Sequence, residues 1–260
     1  MQKQKLWSLL FLFVPIFSVV IFVIAPGRGW WLPENICSFG GDVDHLFRMI
    51  LWIVTIAFLA TQSLLVFSLF KYGNRGGKAT FIHTNHRLEL GWSVIPTVIL
   101  VFIAFYQFST WIHIKSYKKF PHQEPDAEVL AGQFEWRIRY PGPDGKLYTE
   151  DDITSLNNLH VPVGEDFVIR LRSRDVLHSF FLPNLRVKQD AVPGMEIPVW
   201  FKVDPKLVKV SDEAPAIFDL LCAELCGWGH YKMRGVLTVH TQAGFDAWLK
   251  QRQAEQEVTE

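Results

Sequence analysis

What this chain has little of narrows its identity first. Its 260 residues include only three cysteines, too few for a disulfide framework, so a small stapled scaffold is not expected. It has no surplus of charge either, with 26 Lys and Arg against 26 Asp and Glu. Phosphate binding needs a basic stripe, and the motifs that usually carry one are missing, which argues against a nucleic-acid partner. No internal repeat and no low-complexity tract interrupts the sequence. What is abundant is apolar: 49% of the residues are hydrophobic, a composition that suggests a membrane part joined to one soluble domain of ordinary size.

Three uncharged runs, Leu6 to Ala25, Ile50 to Phe70 and Leu90 to Ile112, are each about twenty residues, the length that crosses a ~30 Å hydrocarbon core as a helix. The first follows Lys3 and Lys5, as a secretory signal would. However, it is longer than the apolar region of such a signal, contains Pro15 and leads into APGRGWW, a poor cleavage site, so a retained helix is expected. Basic residues set the orientation. Lys3 and Lys5 precede the first run, and Lys71, Arg75, Lys78 and Arg87 lie between the second and third, whereas the 26–49 loop mixes Arg28 and Arg48 with Glu34, Asp42 and Asp44. Both basic segments then face the cytoplasm, and three spans carry everything after about Trp111 to the other side. Cys37 stands alone in the 26–49 loop and reads as a free thiol with no special role.

From Asp126 onward the periodicity changes to two, with short alternating stretches separated by Gly, Pro and Asp turns. VLAGQFEWRIRY sets Phe134, Trp136, Ile138 and Tyr140 against Glu135, Arg137 and Arg139, the pattern of a half-buried strand. FVIRLRSR places Arg170, Arg172 and Arg174 on one side. Several such strands predict an all-β sandwich or Greek-key barrel, closed by a short amphipathic helix, AGFDAWLKQRQAEQ, and a frayed tail. The acids of PGPDGKLYTEDDI suggest a calcium loop, but strands flank the segment and its spacing does not fit, so a long hairpin turn is expected.

The chemistry is concentrated in LLCAELCGWGHYKM, residues 220–233. Cys222 and Cys226 could be buried small hydrophobes or part of a structural zinc site. Zinc motifs generally use tighter cysteine pairs, and the thioether of Met233 suits copper better than zinc. A mononuclear copper site would not use a second cysteine four residues after the first. Two thiolates in one loop can bridge two copper ions, each of which then needs an imidazole. His230 supplies one, and His178, in RDVLHSFFLPNL, is the natural second, whereas His160, at a strand start, reads as an ordinary surface residue.

DVLHSFFLPNLRVKQDAVPG followed by CAELCGWGHYKM closely resembles subunit 2 of the haem-copper cytochrome c oxidases, and the resemblance runs from about Ile50 to the C-terminus. It implies an α-helical membrane anchor plus an all-β, cupredoxin-like Greek-key sandwich. The implied divisions are a first helix over 1–28, a transmembrane hairpin over 29–117, the copper domain over 118–245, and a helix and tail over 246–260. It implies a binuclear copper centre of the CuA type in which Cys222 and Cys226 bridge the two ions. His178 and His230 each bind one, Met233 is a weak axial ligand, and the Glu224 carbonyl serves the other ion. The Glu224 side chain would reach a magnesium ion shared with subunit 1, and Glu89, at the start of the third run, would sit at the mouth of a proton pathway. A helix-terminal carboxylate favoured by the macrodipole is the alternative reading of Glu89, and the resemblance favours the proton-pathway role.

The implied partners are subunit 1, which carries the haems and the oxygen site, subunit 3, and a cytochrome c or cytochrome c domain as electron donor. The implied location is the inner membrane of a bacterium, with oxygen reduction coupled to proton pumping. The sequence departs from the family where it has Phe134, the electron-input position that is usually tryptophan, and Glu135, usually tyrosine; Trp136 is retained. Arg174 replaces a usual acid and, with Arg137, Arg139, Arg170 and Arg172, suggests a basic patch that would favour an acidic donor, unless these arginines pair with acids on the domain itself. A copper-centre subunit of a nitric oxide reductase and a membrane-anchored copper chaperone are the alternatives. A quinol oxidase subunit fits poorly, because every copper-ligand position is filled.

Overall fold

The computed structural model describes residues 2–72, 80–116, 120–121 and 123–257. Arg75 and Lys78, two of the basic residues that set the expected orientation, lie outside this set, as do residues 258–260 of the tail. By internal contact the chain divides into a helical unit, Met1–Pro33 with Asp44–His113, and a β unit, Glu34–Val43 with Ile114–Glu260.

Helices α1 (Gln2–Ile24), α2 (Gly40–Tyr72) and α3 (His86–Lys115) are rich in Leu, Ile, Val and Phe around their whole circumference, the distribution of a helix solvated by lipid rather than water. By length and composition α2 and α3 can cross a membrane, with mean hydropathies of 2.2 and 2.1, and the apolar stretch of α1 covers Leu9–Ile24. Among the described residues, none of α3 is buried. The start of α3 is capped reciprocally. Asn85 Oδ1 accepts the Leu88 N–H at 3.2 Å, and Glu89 Oε1 accepts the Asn85 N–H at 3.4 Å, so two otherwise orphaned donors are satisfied. The other Glu89 oxygen lies 3.4 Å from His86 Nδ1.

Among the described residues ten strands build the β unit: β1 (Ala127–Gly132), β2 (Glu135–Tyr140), β3 (Ile153–Leu156), β4 (Asn158–Pro162), β5 (Asp166–Ser173), β6 (His178–Leu182), β7 (Val187–Ala191), β8 (Ile197–Lys202), β9 (Ala216–Cys222) and β10 (Arg234–His240). They form two five-stranded sheets, ordered β3-β2-β1-β5-β8 and β4-β10-β9-β6-β7. Only β1–β5 and β4–β10 among the named pairs run parallel. Alternate residues of each strand face inward, and the largest fully buried side chains are Trp136, Tyr140, Phe180 and Phe201.

The expected single strand over VLAGQFEWRIRY is two strands. The alternation continues across a turn at Gln133 and Phe134, so β1 and β2 form an antiparallel hairpin with Phe134 at its tip. PGPDGKLYTEDDI does connect antiparallel strands, β2 and β3, and its acids accept backbone N–H groups of the loop, as Asp152 does from Tyr148 at 2.8 Å. Glu34–Val43 was read as part of an interhelical loop, yet it packs with the sandwich. Ile36 exchanges backbone hydrogen bonds with Asn184 and Asp204, and Ile36, Cys37 and Phe39 are buried. Burial pushes the Cys37 thiol up, which makes it unreactive.

Helix α4 (Gln242–Glu257) closes the sandwich, as expected. Its Gln256 accepts the Thr154 N–H at 3.0 Å and Arg252 donates to the Thr154 carbonyl at 3.3 Å, covering the free edge of β3. Beneath it lies His160, which is buried, not a surface residue. Its Nδ1 lies 2.8 Å from His240 Nε2, its ring stacks on Trp248 at 3.8 Å, and its backbone N–H and C=O both bond the Tyr140 hydroxyl. Burial first, then the neighbouring His240 and Arg252, hold His160 at a pKa of about 3, below its free value of 6.5; burial lowers His240 as well. A histidine kept neutral by the fold contributes stability that is complete above pH 6.5 and is lost as pH falls from there toward 3. In the detergent-solubilised full chain, the β unit should therefore be less stable at about pH 4.5 than at pH 7, by on the order of 2 kcal/mol. His160→Phe should flatten this acid limb in thermal melts. An equally steep limb in the variant would refute the assignment.

Candidate metal centre

The site forms where two strand ends meet. The pairing of Phe180 with Cys222 sets β6 beside β9, so His178, at the start of β6, lies by Cys222, at the end of β9. The chain then leaves β9, makes a short 3-10 turn over His230–Lys232 and returns as β10. Two backbone bonds fix the loop, Cys222 N–H to the Met233 carbonyl at 3.2 Å and Ala223 N–H to the Ser179 carbonyl at 3.0 Å.

These constraints bring the expected donors together. Cys222 Sγ lies 3.9 Å from His178 Nδ1, 3.9 Å from Cys226 Sγ and 3.3 Å from the Glu224 carbonyl. Cys226 Sγ lies 3.7 Å from both His230 Nδ1 and Met233 Sδ. The ligand atoms of His178, Cys222 and Cys226 all lie within 4.8 Å of one another. Separations near 3.8 Å are what two ligands of one ion take when bonds of about 2.0–2.3 Å open at a tetrahedral or wider angle. With two thiols, two imidazoles and a thioether, the donor set is soft and fits copper.

The electrostatics favour a thiolate. Burial raises the Cys222 thiol, but hydrogen bonds from His178 and from the backbone around Glu224 and Ser179 outweigh it and bring the pKa down to about 6. Cys226 is raised to about 11 by burial and by the nearby Cys222 charge. His178 is fully buried and presents Nδ1 to the sulfur because its Nε2 is held 2.8 Å from Asp175 Oδ1. A carboxylate in this position fixes the tautomer and orientation of a ligating ring. Gln133 ties the hairpin tip to the loop, donating from its amide to the Cys226 carbonyl at 2.6 Å and from its backbone to Asp175 at 2.7 Å. The sequence reading gave neither Asp175 nor Gln133 a role. The Asp-x-x-His spacing was a usable signal for Asp175, whereas Gln133 has none.

The remaining expected residues are distributed differently. Trp136 is buried edge-on to His178, with ring centroids 6.3 Å apart. The Phe134 ring meets Trp228. The Glu224 side chain is exposed. Glu89 belongs to the helical unit, in the cap described above. The arginine face is not free positive charge. Arg137 and Arg174 both pair with Glu135, Arg139 with Glu128 and Asp152, Arg170 with Glu196, and Arg172 with Glu128 and Glu196. The alternative of pairing within the domain holds for all five, which removes the argument for an acidic donor.

Apolar helices followed by a two-sheet sandwich with a soft-ligand loop at one end define a membrane-anchored, cupredoxin-like metal protein. Residues 33–110 match the family described as cytochrome c oxidase subunit II, transmembrane domain, and residues 149–240 match its periplasmic domain. The alternative cytochrome c oxidase subunit 2 of Bradyrhizobium diazoefficiens is 30% identical over 94% of this chain and 91% of its own. Subunit 2 of Alkalihalophilus pseudofirmus is 30% identical over 98% and 72%, and that of Thermostichus vulcanus 27% over 86% and 79%. Among solved structures, the periplasmic domain of subunit II from Bradyrhizobium japonicum is 25% identical, covering 52% of this chain and 97% of that one, with a TM-score of 0.42. The chain belongs to the cytochrome c oxidase subunit II family, and so to an oxidoreductase complex, with a membrane part and an extracytoplasmic C-terminal domain.

Proposed function

We propose that this chain accepts single electrons from a cytochrome c at a binuclear copper centre and passes them to the haem of subunit 1 in a haem-copper oxidase that reduces oxygen and pumps protons. The observation that carries this reading is the convergence of two thiols, two imidazoles, a thioether and a carbonyl, with neighbouring donors 3.3–3.9 Å apart. Cys222, Cys226, His178, His230, Met233 and the Glu224 carbonyl would hold the ions. A copper pair bound here supplies a one-electron redox couple whose charge is shared over two ions.

The chain's own residues do the rest. Asp175 holds the His178 tautomer and Gln133 holds the loop, so the donors need to move little between redox states. Met233 and Cys226, both buried, keep water from the inner side. The exposed Glu224 carboxylate is the candidate magnesium ligand at the contact with subunit 1, and subunit 3 is a further partner. Glu89, whose carboxylate accepts the Asn85 N–H at the start of α3, is proposed as the residue at the mouth of the proton pathway. Helix α1 is proposed as a third span, with the basic segments on the cytoplasmic side.

Metal analysis and electron spin resonance of the purified complex test the reading. Two coppers per chain and a purple mixed-valence signal are expected. One blue copper, or zinc, would overturn it.

A further inference from the structure

The Cys226–His230 loop carries an aromatic side chain for which the copper ligation has no use. Trp228 is 79% exposed, and Leu225 and Tyr231, on either side of it, are 76% and 75% exposed. Single exposed apolar residues need no explanation. Three large ones in the loop that carries the donors of a metal centre are the kind of exposure that marks an interaction site.

The loop is shaped to hold Trp228 where it is. Glycines flank it, and a Cβ at Gly227 would stand 3.3 Å from the Phe134 ring and 2.7 Å from the Gln133 amide, while one at Gly229 would stand 2.5 Å from that ring. Gly227 also has a φ of 135°, which disfavours any side chain. The loop backbone therefore lies directly on Phe134, and the indole meets that ring edge-on, with centroids 5.3 Å apart and planes at 70°. Phe134 is half-buried beneath the loop, and Trp228 is outside it. The indole is therefore open to a partner approaching this end of the sandwich. From the indole the covalent path is short, through Gly227 to Cys226 and through Gly229 to His230.

We propose that Trp228 is the residue through which the electron reaches the metal centre, in contact with the exposed haem edge of a c-type cytochrome, and that Phe134 supports it. This rests on the function proposed above. The donor's ferrous haem becomes ferric, and the metal centre takes up that one electron. The indole keeps its own electrons and its N–H proton and serves as the coupling path. The haem edge is the occupant favoured by the surroundings, because the charges around the hairpin tip are already engaged, Lys232 lies over the Tyr231 ring at 5.4 Å, and the exposed Glu224 is assigned above to the contact with subunit 1. Glu135 pairs with Arg137 and Arg174, Asp175 holds His178, and Arg234 pairs with Asp219 at 2.5 Å. A largely uncharged contact suits the apolar rim of a haem crevice.

The test is stopped-flow reduction of the purified, metal-loaded complex by soluble ferrous cytochrome c. Trp228→Ala should slow it by about thirtyfold, the cost of losing a hot-spot aromatic, and Trp228→Phe by less. Reduction by a small-molecule reductant and the resonance signal of the centre should not change. Should Trp228→Ala lose its metals, Trp228→Leu keeps the apolar bulk, and an unchanged rate in that variant overturns the proposal. Hydroxyl-radical footprinting gives a readout independent of turnover, with Trp228 protected when ferric cytochrome c is added. An unprotected Trp228, or a wild-type rate in Trp228→Ala with an intact signal, overturns the proposal too. A wild-type complex without the two-copper signal would instead refute the proposed function, and the footprint would still report on docking.

Discussion

Cys222→Ser is expected to reduce the copper bound per chain from two to one or none and to erase the purple absorption, while the sandwich stays folded. The substitution is nearly isosteric, and Cys222 is only half-buried at the end of β9, so little packing is lost. The chemistry changes completely. The thiol titrates at about 6 under the influence of His178 and the surrounding backbone, so a thiolate is available at neutral pH, whereas a serine hydroxyl stays protonated and is a hard ligand. Cys226→Ser should remove the metals as well, but with an added loss of stability. Its sulfur is buried against Met233, and a hydroxyl there lacks the hydrogen-bonding partners that burial demands. Metal analysis, electron spin resonance and circular dichroism on the two variants separate these effects. A Cys222→Ser chain that retained two coppers and the purple signal would rule out a bridging role for this thiol.

The ligand set could be read in the sequence because metal chemistry is local there. Cys222, Cys226, His230 and Met233 lie within a single loop, and His178 follows a strand whose alternation is plain. The features that escaped are those whose causes lie far along the chain or across a sheet. His160 looked like a surface residue because its partner, His240, comes from β10, and the two are neighbours only because β4 and β10 pair. The arginines of β2 and β5 looked like a basic patch because a strand's sequence shows its own charges and not those opposite. Glu128 lies across from both Arg139 and Arg170 in register, and opposite charges facing one another across strands attract. The hairpin at Gln133 was hidden for another reason, since the period-two pattern ran through the turn unbroken and Gly132 was its sole marker. The packing of Glu34–Val43 on the sandwich could have been suspected from Ile36 and Phe39, apolar residues on either side of Cys37. Trp228 had no pattern to announce it. Its exposure and its contact with Phe134 follow from how the loop lies on the hairpin tip.

Trp136→Ala is expected to be the most destabilising of these substitutions. Phe134 and Trp136 were grouped as the electron-input region, but the structure separates them. Phe134 lies under the exposed loop, while Trp136 is fully buried between the sheets, edge-on to Phe180 at 5.6 Å and to His178 at 6.3 Å. Truncating a buried aromatic of this size costs about 3–5 kcal/mol, a large part of the roughly 5–15 kcal/mol that holds a domain together. For a unit of this size the melting temperature should fall by about 10 °C or more. Because the lost ring also supports the His178 imidazole, copper should dissociate at lower temperature or lower chelator concentration than in the native chain. Trp136→Phe keeps an aromatic edge against His178 and removes an indole N–H that has no hydrogen-bond partner among the described residues in its buried position. Losing an unsatisfied donor offsets part of the cavity, so this variant should melt much closer to the native chain and be reduced by cytochrome c at the native rate. Thermal melts with and without copper, together with the reduction rate of Trp136→Phe, distinguish the two roles. A native melting temperature in Trp136→Ala would remove Trp136 from the core account, and a collapsed rate in a well-folded Trp136→Phe would return it to the electron path.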